Sequence, residues 1–97
     1  MDITIYESFD HSVAVLGVDT QVLEANYRRA WLLLQNVSTS DDIYLGLGRA
    51  ITSGTGLILR PGGSLLLDMI STPWYGDVHA FAGSGNPYLV VIEVLKR

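Results

Sequence analysis

Short apolar runs separated by turn residues recur along the whole chain, and this pattern confines it to folds built from short strands. Arg28 to Asn36 (RRAWLLLQN) is apolar on both faces through its middle, as a central strand covered on both sides would be. Ile43 to Gly48 alternates strictly, with Ile43, Leu45 and Leu47 on one side and Tyr44, Gly46 and Gly48 on the other. The two glycines make that second side shallow, so a large side chain or another chain is expected close against it. Leu57–Arg60 and Ser64–Met69 flank Pro61-Gly62-Gly63, where Pro sets the first corner of a turn and Gly accepts the positive φ of the next. Ile3–Tyr6, His11–Val18, Val22–Leu23, Asp77–Ala82 and Tyr88–Leu95 complete the set, the last interrupted only by Glu93. A helix over Thr20–Leu34, with Asp19, Thr20 or Glu24 at its start, competes with this assignment. Tyr27 and the Ala30–Leu34 run leave it no one-sided apolar stripe, and the strands are preferred. The expected fold is all-β: a single antiparallel β-sandwich, jelly-roll-like, of about eight strands. It spans residues 1–97, with 1–10 set apart as a candidate N-terminal arm.

A chain of 97 residues holds one domain. Charged residues make up 16% of it, against roughly 25% in an ordinary soluble domain, while 48% is apolar. Small domains have much surface for their volume. A shortage of charge therefore implies that part of this surface is covered by another subunit. The net charge is −4, and the six basic residues Arg28, Arg29, Arg49, Arg60, Lys96 and Arg97 read as scattered along the sequence. That argues against nucleic acid as a partner, since phosphate backbones are held by clustered basic faces. No apolar run approaches the roughly 20 residues of a membrane span, and the N-terminus shows no secretory signal pattern. Neither membrane insertion nor export is expected.

The residues with chemical potential are few. There is no cysteine, hence no disulfide or thiolate chemistry. His11 and His79 fall in different strands without ligand spacing, so surface or packing roles are expected for both. Asp41-Asp42 is an acidic turn without the alternating carboxylates of a calcium loop. Serines are present, but none sits in a G-x-S-x-G elbow; Gly46-Leu47-Gly48 and Gly54-Thr55-Gly56 are too short for a phosphate loop. No catalytic residue, cofactor or metal is expected. Trp74-Tyr75, in a turn, are candidate anchors for a protein interface or, with Tyr88 and Trp31, a platform for sugar rings, unless Trp74 simply caps the end of the sandwich.

Several segments together resemble a known protein type. Asn26 to Arg29 leads into Leu32–Asn36, followed by Tyr44–Gly48, the Pro61–Ser64 hairpin, the Trp74–Val78 turn and strand, and Val90–Glu93. In order and spacing, over roughly residues 22–94, these resemble the small β-rich accessory proteins of tailed-bacteriophage and prophage virions, of the capsid decoration, cement or head-fibre type. The resemblance implies a non-enzymatic, oligomeric subunit, with a trimer favoured, that binds and stabilises the assembled head. Its partners would be the major capsid protein or other virion subunits, and its location the virion, after synthesis in the bacterial host cytoplasm. Interface candidates are Ile3, Ile5 and Tyr6 in the N-terminal arm, Trp74 and Tyr75 in the aromatic loop, and Lys96 and Arg97 at the C-terminal end. The alternative is a carbohydrate-binding or receptor-adhesion module of a phage fibre or tail. A small hydrolase is a third reading, and it requires His11 or His79 beside a carboxylate and a hydroxyl in one cleft.

Overall fold

The computed structural model describes residues 5–52 and 55–97, and among them the chain is all-β, with nine strands in two antiparallel sheets. The strands are β1 (Tyr6–Asp10), β2 (Val13–Ala14), β3 (Thr20–Leu23), β4 (Arg29–Asn36), β5 (Ile43–Leu47), β6 (Leu57–Leu59), β7 (Ser64–Asp68), β8 (Val78–Phe81) and β9 (Tyr88–Lys96). One sheet runs β1-β9-β4-β7, with β2 also on β9; the other runs β3-β8-β5-β6. The two pack face to face as a sandwich.

Two of the expected strands are redrawn. His11–Val18 is not one strand: only Val13–Ala14 pairs there, and the regular strand lies earlier, at Tyr6–Asp10. Both lie on β9, Tyr6–Asp10 against Ile92–Lys96 and Val13–Ala14 against Tyr88–Leu89. Between them His11 N donates to Val91 O at 2.8 Å, while the Ser12 hydroxyl accepts from Val91 N at 3.0 Å. A side-chain oxygen thus takes the place of a backbone carbonyl and interrupts the strand. Beyond Ala14 the chain leaves this sheet for the other, as Ala82 N donates to Leu16 O.

The core lies between the sheets, where the alternating positions converge. Leu32 and Leu34 of β4, Leu67 of β7, and Leu89 and Val91 of β9 meet Leu23, Ile43, Leu45, Leu59, Val78 and Ala80 of the facing sheet. The Arg60–Gly63 turn forms as its sequence demands: Gly62 has φ 80° and Gly63 N donates to Arg60 O at 2.7 Å. Asn36, fully buried at the end of β4, donates to Asp41 O and Leu59 O and accepts from Ser38 N. Every polar atom of that amide is satisfied, and it joins the β4–β5 loop to β6 across the end of the core.

The shallow side of β5 is covered by the chain itself. Arg49 and Ile51 fold back over Gly46, and the indole of Trp74 lies where a Cβ on Gly48 would sit, 2.8 Å from it. Strand β4, by contrast, is central in its sheet but covered on one side only. Its inner residues Leu32 and Leu34 are buried, while Leu33, on the outer side, is only half-buried.

Candidate functional site

A buried ion pair organises one end of the sandwich. Arg29, 2% exposed, enters β4 next to a register shift that turns its side chain inward. Its Nε donates to Glu93 Oε2 at 2.8 Å. One Nη1 donates to Trp74 O and Gly76 O, and Nη2 donates to Glu24 O. Glu93 Oε1 meets His11 Nε2 at 3.1 Å, so both carboxylate oxygens are engaged. The guanidinium fork matches several acceptors at once, which is why an arginine serves where a lysine would not. It ties the loop after β3, the Trp74–Gly76 loop and β9 to a single point, and Asn26 N adds a bond to Tyr75 O.

That tie builds one wall of a groove of about 900 Å³. Tyr6 of β1, Tyr27, Trp31 of β4 and Tyr75 supply its rings; Ile70 and Met69, from the turn after β7, supply its aliphatic side. Arg28, Lys96 and Arg97 supply positive charge, with the buried Arg29 beneath. Four of the six basic residues therefore meet at one groove, which corrects the expectation that they are scattered. The strands explain it: the end of β9 and the start of β4 are antiparallel neighbours, and Lys96 N donates to Arg28 O. Asp68, the one acid lining the groove among the described residues, is occupied by its own turn, accepting from Ile70 N, Ser71 N and the Ser71 hydroxyl. Those bonds, the Ser71 hydroxyl foremost, hold its carboxyl below the ordinary value.

The groove continues onto the outer face of the β1-β9-β4-β7 sheet, which no other layer among the described residues covers. Register places Leu66, Leu33 and Ile92 in one row across β7, β4 and β9 on this face. Leu66 is 59% exposed, and Val90 and Trp31 lie in the flanking rows.

On the outer side of the other sheet His79 sits between two carboxylates, with Nδ1 3.1 Å from Asp19 and Nε2 2.9 Å from Asp77. Partial burial works against its charge, but the hydrogen bonds to Asp77 and Asp19 outweigh it and raise the imidazole above its ordinary value. Asp19 is lowered, first by the bond from Ile51 N and then by His79. The imidazolium so clasps Asp19, which in turn holds the Arg49–Ile51 segment over Gly46. A histidine raised on folding contributes stability that is full below its unfolded value, about 6.5, and is lost as pH rises through the folded one. His79→Gln is therefore expected to lower Tm relative to wild type most near pH 5.5–6 and least above about pH 8. Thermal melts of both proteins across that range check it, and a gap that is constant or widens with pH would contradict it.

A second cleft, about 430 Å³, opens beside Phe9, His11, Leu23 and Asn26, with Glu93 at its base. Each histidine thus lies beside a carboxylate, His11 by Glu93 and His79 between Asp19 and Asp77. Among the described residues no serine or threonine hydroxyl bonds to either ring, the Ser12 hydroxyl being taken by Val91 N. Nor does any group of three His, Asp or Glu among the described residues form a metal-binding arrangement; Asp42 pairs with Arg60, and Asp41 accepts from Ser84.

The interface candidates divide by position. Tyr6, Tyr75, Lys96 and Arg97 come together at the groove. Ile5 is exposed nearby, its carbonyl accepting from Arg97 N. Trp74 points the other way, packing against the core with its indole N–H donating to Asp77 O. Ile3 lies outside the described residues. Tyr6–Asp10 form an edge strand on β9 rather than an extended arm. Trp31, one of the candidate sugar-platform rings, lies at the groove, whereas Tyr27 and Ile70 were missed; the run Tyr27-Arg28-Arg29-Ala30-Trp31, alternating rings with cations, was the available signal. No known protein family, characterised protein or solved structure matches this chain.

Proposed function

We propose that the chain is an accessory structural subunit of a tailed-phage virion, a decoration or cement protein, which associates with neighbouring subunits through the outer face of its β1-β9-β4-β7 sheet. The observation that carries this reading is the apolar row Leu66–Leu33–Ile92 on the outer face of the sheet, Leu66 exposed and Leu33 and Ile92 half-buried, in a chain with too few charges to dress its own surface. Two features support it: the order and spacing of the segments that resemble such proteins, and the strand order itself. With β1 and β2 taken as one interrupted strand, the order β1-β9-β4-β7 facing β3-β8-β5-β6 supports a jelly-roll reading of the sandwich. The mechanism is physical: burial of about 1,600 Å² per contact clamps neighbours, and many weak attachments add avidity over a shell.

Light scattering on a size-exclusion column is expected to give a multiple of 10.6 kDa for the wild type, a trimer in this reading. The double variant Leu33→Glu/Ile92→Glu should run as a folded monomer, because a buried unpaired charge cannot be tolerated in the contact. A wild type that is monomeric at every concentration and does not bind undecorated phage shells would overturn the proposal.

The adhesion-module alternative has one observation of its own, the groove lined by Tyr6, Tyr27, Trp31 and Tyr75.

A further inference from the structure

We infer that this groove is a binding site for an acidic carbohydrate, an oligosaccharide whose sugar rings carry carboxylates. The inference goes beyond the assembly reading and does not rest on it. The fold does not need the groove's outermost side chains: Tyr27 is 91% exposed and Ile70 95% exposed, so neither stabilises the core. Four aromatic rings meeting around a groove of this size form flat apolar surfaces on which the C–H faces of sugar rings can lie. Around them stand Arg28 and Lys96, neither with a carboxylate partner among the described residues, and Arg97, whose contact with Glu7 is long at 3.5 Å and exposed. Asp68 stays ionised and offsets one of these charges, but three cations stand around the groove against it, and its oxygens are engaged by the Ile70–Ser71 turn rather than by any of them.

In a chain of net charge −4, a local excess of cations beside aromatics selects for an anion that also has flat, partly apolar faces. A peptide is the weaker fit. Extended peptides are held by unpaired backbone groups at a sheet edge, whereas this groove is lined chiefly by side chains around the paired ends of β4 and β9, with only Tyr6 and Asp68 from the edge strands β1 and β7. Single-stranded nucleic acid would also use rings and cations, but it requires a positive track along several nucleotides, and this groove is a single basic site on an acidic chain.

The test is titration of the wild-type protein, followed by NMR and calorimetry, with three probes: tetragalacturonate, a hyaluronan tetrasaccharide and a disialic acid. Neutral cellotetraose, a dT8 oligonucleotide and a tetraglutamate peptide serve as comparisons. Saturable binding of at least one acidic saccharide is expected, with shifts at Tyr27 and Trp31, and weakening when NaCl is raised to about 0.5 M. Arg28→Gln and Tyr27→Ala alter exposed residues, and each should weaken binding about tenfold while leaving the melting temperature and solution mass unchanged. The inference is overturned if none of the acidic saccharides binds. Equal binding of cellotetraose, or tighter binding of dT8 or tetraglutamate, would also overturn it.

Discussion

Arg29→Met is expected to destabilise the domain by about 3–5 kcal/mol, a large part of the roughly 5–15 kcal/mol that holds a small domain together. Removing the guanidinium leaves Glu93 buried with only His11 beside it, and deprives the carbonyls of Glu24, Trp74 and Gly76 of their donor. At about 4–8 °C of melting temperature per kcal/mol for a domain of this size, Tm should fall by more than about 10 °C. Arg29→Lys keeps the charge but offers a point donor instead of a fork, so its loss should be intermediate. Adding Glu93→Leu to Arg29→Met removes the stranded carboxylate and should recover part of the stability, though the three carbonyls stay unpaired. Urea unfolding of the four proteins gives these differences directly. A melting temperature for Arg29→Met within about two degrees of wild type would show that the pair carries little of the fold.

The second large effect is expected for Trp74→Ala, about 2–4 kcal/mol. The value lies below that of a fully buried tryptophan because this ring is only partly buried. The indole fills the space above Gly48 and Gly76 and closes that end of the core. Neither glycine offers a side chain to fill the gap, so the cavity would stay open. Denaturant unfolding measures the loss. An adhesion reading in which Trp74 itself touches a sugar would instead have the variant fold with wild-type stability and lose only binding. The ring–cation groove is formed by other residues, and Tyr27→Ala is the variant that probes it.

Much of the fold was legible along the chain because strands of one half-buried sheet repeat every second residue, and a turn such as Pro61-Gly62 is a local event. Ile43 and Leu45 face the core as their alternation requires, and β9 is broken only at Glu93. What Glu93 does was not legible. Its partner is 64 residues away, and a charge inside an apolar strand looks the same whether it is buried in a pair or exposed at an edge. The same distance hid the groove. Lys96 and Arg28 lie 68 residues apart in sequence and become neighbours only when β9 pairs with β4. Asp19, Asp77 and His79 likewise converge from two elements that no spacing rule connects. The break at His11–Ser12 was missed because it depends on a serine hydroxyl reaching across to Val91, an interaction without a sequence period.

The interrupted edge also limits how copies of this chain can join. Backbone left open along a straight strand invites another chain to extend the sheet, and repetition of that step gives filaments. Here β1 runs five residues before the His11–Ser12 break, β7 runs five between two turns, β3 four and β6 three. None is a long template for accretion. Growth in the plane of the sheets is thereby discouraged, while the broad face across β7, β4 and β9 is left open. Association of this geometry favours a closed particle of fixed number over an open polymer.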